Sequence, residues 1–289
     1  MSGRTVHGAI LLLVIGNLLA MFSDIVVKLQ GADVAVFQFV FLRLLVSVVL
    51  LLPLFAFIDR RVLLIGSGVH LLRAHIGMAA IVCMVIALTN LPLATANAVF
   101  YVAPILIMLL AVLVYGERLS GLSLLTVISG FAGVLLALRP VEFSWTAFTA
   151  LGSAFALAVN ALLVKKLPRE HSPAHNLFLA QIYALPAALA LALWEGKAWD
   201  FSLLAGATGS SVFILCYHLT VLIAYRHVDA NRITGAEYTG LIWAVLFGWW
   251  WFNEVPDLWF AAGTALITGP LLLHGMVERR RRMAPSAAG

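Results

Sequence analysis

The sequence predicts an all-α integral membrane protein of ten transmembrane helices, arranged as two inverted five-helix repeats with both termini cytoplasmic. Three observations carry that expectation: scarce charge, apolar runs of membrane-spanning length, and a repeat at one fixed offset. Apolar residues make up 63% of the chain and charged residues 11%, whereas a soluble domain carries about a quarter charged residues. Too few polar groups remain to cover a surface in water, so lipid is the expected solvent.

The apolar runs fall at about 8–27, 34–57, 70–88, 94–115, 122–138, 145–164, 175–194, 203–225, 234–252 and 259–276. A span needs about 20 apolar residues, so 289 residues accommodate ten and leave no room for an extramembrane domain. Backbone N–H and C=O groups must pair within their own segment in hydrocarbon, which makes such runs helices. A transmembrane barrel would alternate apolar and polar residues, and these runs do not. The run from Gly8 to Val27 lacks a small-residue cleavage site and reads as the first span, not a signal peptide. Cys83 and Cys216 lie inside apolar runs without metal-ligand spacing and read as small core residues.

Orientation follows from the basic residues. With the N-terminus inside, Arg4, Arg60, Arg61, Arg73, Arg118, Lys165, Lys166, Arg169, Arg226, Arg232 and Arg279 to Arg282 are cytoplasmic, and Lys28, Arg139 and Lys197 are opposite. The split is 14 against 3, with Arg43 left within a helix. Cytoplasmic loops carry such an excess. The net charge of +5 is thereby a topology signal, not a nucleic-acid footprint, and Arg279 to Arg282 anchor the chain end against anionic lipid.

Shifting the chain by 137 residues lays Ala87–Leu119 on Ala224–Pro256 without a gap. Tyr101 then matches Tyr238, Ile105 matches Ile242, Glu117 matches Glu254, and Lys28 falls on Lys165. The repeats are placed at 1–139 and 140–289, the second with a basic tail. Five helices is an odd number, so the second repeat enters the membrane inverted, an arrangement recurrent in transporters with the solute site between the halves.

Several short stretches resemble a known group. They are Ser23-Asp-Ile-Val-Val-Lys28, Gln38-Phe-Val-Phe-Leu-Arg43, Leu72-Arg73, and Leu93-Ala-Thr-Ala-Asn-Ala-Val-Phe-Tyr-Val-Ala-Pro104 leading to Tyr115-Gly-Glu-Arg118. The chain resembles the drug/metabolite transporter superfamily, specifically its ten-helix EamA-type members. The second half keeps Asn253-Glu254 but has Leu241 where the central proline would recur. The resemblance implies the fold and a transport activity.

Ionisable groups in hydrocarbon are costly and are functional candidates by default. Arg43, near the middle of helix two, offers a planar fork for a carboxylate or for helix-end carbonyls. Glu237 aligns with Phe100, so it departs from the shared pattern; it suits a solute ammonium, a basic partner or a coupling proton. Asp24 and Lys28 are spaced as an i,i+4 pair. His75 and His218 could relay a proton or sit hydrogen-bonded in the core. Asn17, Gln38, Asn97, Asn160 and Gln181 line a cavity or join helices. Tyr101 and Tyr238 should face one another across a pseudo-twofold axis. Trp249, Trp250, Trp251 and Trp259 suit an interfacial belt, while Trp243 sits deeper. Pro104 and Pro270 can loosen helices for alternating access. The expected substrate-binding set is Arg43, His75, Tyr101, Glu237, Tyr238 and Trp243.

No Gly-x-x-x-x-Gly-Lys-Ser/Thr, His-Glu-x-x-His or Gly-x-Ser-x-Gly occurs, so neither ATP hydrolysis nor a recognisable intramembrane hydrolase is expected. The expectation is a non-enzymatic secondary transporter of the bacterial inner membrane, without cofactor or metal. It would export a small polar metabolite, an amino acid or an amino-acid-derived compound such as an opine-type metallophore. The alternatives are import of a vitamin or nucleoside-type metabolite, and flipping of a lipid carrier. Solute and membrane lipid are the expected partners, nucleic acid is not, and a homodimer stays open.

Overall fold

The computed structural model describes residues 5–59, 61–116, 121–138, 145–168, 170–228 and 234–283. Among the described residues the structure is helical, without strands. The helices are α1 Val6–Lys28, α2 Val36–Leu51, α3 Ser67–Asn90, α4 Leu93–Phe100, α5 Ala103–Tyr115, α6 Gly121–Leu138, α7 Trp145–Leu163, α8 Pro173–Ile182, α9 Leu185–Trp194, α10 Leu203–His227, α11 Thr239–Phe252 and α12 Leu258–Met283. Short 3₁₀ turns, Leu52–Phe57, Val164–Lys166 and Thr234–Tyr238, extend α2 and α7 and precede α11. Among the described residues, six segments are long and apolar enough to cross a membrane: α1, α3, α4 with α5, α7 with its 3₁₀ turn, α8 with α9, and α10. Arg4, Arg60, Glu117, Arg118, Arg139, Arg169 and Arg232 lie outside the described residues.

Helix starts follow the 137-residue offset. Shifted by it, 36–51 becomes 173–188, 67–90 becomes 204–227, 103–115 becomes 240–252 and 121–138 becomes 258–275, against observed elements that begin at 173, 203, 239 and 258. Their caps correspond too. α5 ends on Gly116 at φ 65° and α11 on Asn253 at φ 54°, both left-handed. Glycine pays no Cβ penalty there, and asparagine tolerates the region better than most residues. Glu254, next in the chain, turns its Oε2 onto the Leu93 N–H at 2.6 Å. A carboxylate on an otherwise unsatisfied helix N-terminal amide favours the start of α4.

The chain divides into two compact units that cut across the repeats. Unit 1 comprises Met1–Met21, Pro92–Phe143 and Cys216–Gly289; unit 2 comprises Phe22–Leu91 and Ser144–Leu215. In unit 1, α6 and α12 approach closely: a Cβ on Gly263 would lie 2.5 Å from Gly133 O and 2.6 Å from Ala137 N. Only glycine permits backbones so near each other. Ala94, Ala98, Leu241 and Phe260 form a buried cluster there, so Leu241 serves packing where proline is missing. In unit 2, Ser23 Oγ and Ser210 Oγ lie 2.8 Å apart, and Ser211 Oγ donates to Arg43 O at 2.9 Å. Lys28 donates to Leu91 O at 2.7 Å and Leu88 O at 3.4 Å, satisfying the carbonyl end of α3. Gln38 bonds Lys197 O, Ala198 O and the Asp200 N–H, holding the approach to α10. On that approach the Asp200 carboxyl is held below its ordinary range by the Ser202 hydroxyl and then the Ser202 N–H. Cys83 is half-buried, but Cys216 is exposed, contrary to the core reading: its side chain faces outward from α10.

Candidate functional site

In unit 1 the offset-matched helices break at matched residues. α4 ends at Phe100, Tyr101 follows with ψ −2°, and Pro104 sits in the first turn of α5. A helix cannot continue smoothly into a proline that lacks an N–H, so the break is local chemistry. Its counterpart falls at Tyr238, with ψ −8°, between the 3₁₀ turn Thr234–Tyr238 and α11. No proline is present there, and side chains hold the unwound carbonyls instead. Asn17 Nδ2 lies 3.0 Å from Ala236 O, from Glu237 O and from Thr239 Oγ1. Tyr101 Oη donates to Glu237 O at 2.8 Å. Carbonyls freed in an apolar surround need such partners.

The break gathers the candidate residues of unit 1. The Tyr101 and Tyr238 rings stack with centroids 5.8 Å apart, so the matched tyrosines do meet. The Glu237 carboxyl, half-buried, accepts a hydrogen bond from Tyr225 Oη at 3.0 Å on Oε1. Gly240 is required beneath this arrangement, because a Cβ there would run into the Tyr101 hydroxyl. Trp243, one turn along α11, packs on Phe247 at 6.3 Å and has no hydrogen-bond partner for its buried Nε1. A carboxylate among tyrosine rings is a chemistry suited to an organic cation.

Arg43 and His75 belong to unit 2. Arg43 is buried at 5% exposure, its Nη1 has no hydrogen-bond partner, and Asp24 acts on it electrostatically. His75 is half-exposed and bonds Leu71 O, one turn back on α3, at 2.8 Å through Nδ1. Asn160 joins helices: its Oδ1 accepts from Arg73 Nε at 2.9 Å and its Nδ2 donates to Arg73 O at 3.1 Å. Asn97 bonds its own helix at Leu93 O. Trp249, Trp250, Trp251 and Trp259 are all exposed.

Tyr225 was not among the sequence candidates, although a signal existed. At the 137 offset Tyr225 falls on Leu88 and Glu237 on Phe100. Both are polar departures from an apolar counterpart, and the two depart together because they bond each other. Among the described residues no group of His, Cys, Asp and Glu is arranged to hold a metal.

Comparison with known proteins gives consistent results. The EamA-like transporter family matches residues 7–139 and again 144–275. A riboflavin transporter of Brucella anthropi is 28% identical, with 80% of this chain and 85% of that protein covered. An S-adenosylmethionine uptake transporter of Rickettsia prowazekii is 25% identical over 91% and 90%. A pseudopaline exporter of Pseudomonas aeruginosa is 24% identical over 89% and 92%. A solved crystal structure superimposes with a TM-score of 0.57 at 20% identity, covering 93% of this chain and 97% of the other, a likeness of fold alone.

Proposed function

The chain belongs to the EamA-like transporter family, and from that premise we propose a secondary transporter that exports a small polar, amino-acid-derived metabolite across the bacterial inner membrane. Opine-type metallophores are the leading class. The observation that carries the reading is Glu237, held by Tyr225 at a helix break beside the stacked Tyr101 and Tyr238. In a low-dielectric surround, a carboxylate so framed attracts a solute ammonium far more strongly than it would in water. Trp243 supplies apolar wall in the same unit. Arg43 and His75 are retained as independent candidates of unit 2, Arg43 for a carboxylate.

The proposal takes the ten apolar segments as ten spans, with both termini cytoplasmic and 1–139 and 140–289 as inverted repeats. Two family matches in tandem and the common offset of helix starts support the repeat. Uptake is the second reading, favoured by the riboflavin and S-adenosylmethionine relatives.

Membrane vesicles of both orientations, offered S-adenosylmethionine and a panel of opines, distinguish direction and solute. Glu237→Gln should abolish transport while the amount of folded protein in the membrane stays normal. Full transport by Glu237→Gln at normal abundance would remove Glu237 from the site.

A further inference from the structure

Three histidines of unit 2, none of them in the candidate set, are buried: His70, His171 and His175. Their rings form a continuous pile, with centroids 5.0 Å apart for His70 and His171 and 4.6 Å, at 9°, for His171 and His175. The hydrogen bonds determine which nitrogens carry protons. A carbonyl only accepts, so His171 Nε2, 2.8 Å from Val62 O, is protonated. The same holds for His175 Nε2, 3.1 Å from Asp59 O. Neutral His171 then offers Nδ1 as an acceptor, and His70 Nε2 donates to it across 2.9 Å. His70 Nδ1 is left buried without a partner. With every ring neutral, one arrangement satisfies all these contacts: each of the three imidazoles is protonated on Nε2.

A further proton disrupts that arrangement. On His171 Nδ1 it would confront the His70 N–H, two donors 2.9 Å apart. On His70 Nδ1 it would create a buried cation without an acceptor, on the helix that carries Arg73 at the next turn. Only His175 has an acceptor for an Nδ1 proton, Ser172 Oγ at 3.4 Å, and that cation would lie face to face on His171. The remaining ionisable groups around the pile are few. The segment after α2 contributes Asp59, whose Oδ1 accepts from the Arg61 N–H, and Arg61 itself. The α8–α9 stretch contributes Tyr183, donating to Ser67 Oγ at 3.2 Å. Beyond α7 come Lys165, Lys166 and Glu170, all exposed. α2 carries only Arg43. Among these described side chains, no carboxylate is hydrogen-bonded to any of the three rings to receive an imidazolium.

The pile ties three stretches of chain together: Asp59 and Val62 after α2, the first turn of α3, and the entry to α8, which Ser172 caps. Gly66, at φ 67°, abuts Pro168 in the same region, and a Cβ there would come within 2.6 Å of Pro168 Cγ. We propose that His70, His171 and His175 form a proton-binding latch. Neutral, they hold the carbonyls of Asp59 and Val62 against α3 and α8; binding a proton at the His70–His171 pair releases them. The neutral pile excludes a proton that the freed imidazoles accept, so acidification on the latch's own side of the membrane favours release.

Hydrogen exchange of the full-length protein in nanodiscs tests this. Protection factors across 59–66 should fall at least about tenfold between about pH 8 and about pH 5. In His171→Gln, whose amide donates to Val62 O and accepts from His70 without titrating, they should stay flat. Unchanged protection in the wild-type protein, or an equal fall in His171→Gln, overturns the latch. Should His171→Gln fail to fold, ¹⁵N shifts of the wild-type imidazoles decide: all three should be neutral Nε2–H tautomers at about pH 8. An Nδ1–H tautomer or an imidazolium at His70 or His171 under those conditions would equally overturn it.

Discussion

Gly240 offers a direct probe of the helix break. A Cβ built there would occupy the space of the Tyr101 hydroxyl, yet it would lie 3.5 Å from Tyr101 Cζ and 3.7 Å from Asn17 Cβ, ordinary contact distances. Gly240→Ala therefore collides with one oxygen atom. Displacing that hydroxyl removes its 2.8 Å hydrogen bond to Glu237 O, worth about 1 kcal/mol. Disturbing the Tyr101–Tyr238 stack costs a further 0.5–1.5 kcal/mol or so. Alanine recovers roughly 0.5–1 kcal/mol over glycine near the start of α11. The net expectation is a loss of about 1 kcal/mol. In a Tyr101→Phe background the obstructing oxygen is gone, so the same substitution should be neutral or mildly stabilising. Denaturant unfolding in detergent, followed by tryptophan fluorescence, yields the double-mutant cycle, with an expected coupling of about 1–2 kcal/mol. Additivity within about 0.5 kcal/mol would refute the claim that Gly240 makes room for the Tyr101 hydroxyl.

Asn160→Ala should destabilise the protein by about 1.5–3 kcal/mol, because it removes the acceptor for a charged guanidinium group and a donor to Arg73 O. Thermal stability equal to wild type would show that the Arg73–Asn160 pair holds nothing together. Reporter fusions after Gly289 and in the loop around Asp200 should indicate opposite sides of the membrane, as the charge asymmetry requires; equal signals would end the ten-span arrangement.

Composition and periodicity alone established that this chain is a multi-pass helical protein, because hydrocarbon enforces internal backbone pairing whatever the side-chain details. The fixed offset marked where matched helices begin and where α5 and α11 end, since those depend on local signals: a proline after Tyr101, and Gly116 and Asn253 in left-handed caps. Tertiary structure decided the rest. Glu254, a family-pattern residue by sequence, is a cap for α4. The helix break at Tyr238 has no proline to announce it and exists through Asn17 and Tyr101, both distant in sequence. Tyr225 reached Glu237, and His70 reached His171, across gaps that no helical periodicity spans. The division into compact units likewise crosses the repeat boundary. An apolar run states that a segment enters the membrane but carries little information about which neighbour it meets, because lipid and protein interior are nearly the same solvent for its side chains. Partner choice then rests on a few polar and small residues whose pairing only the packed helices determine.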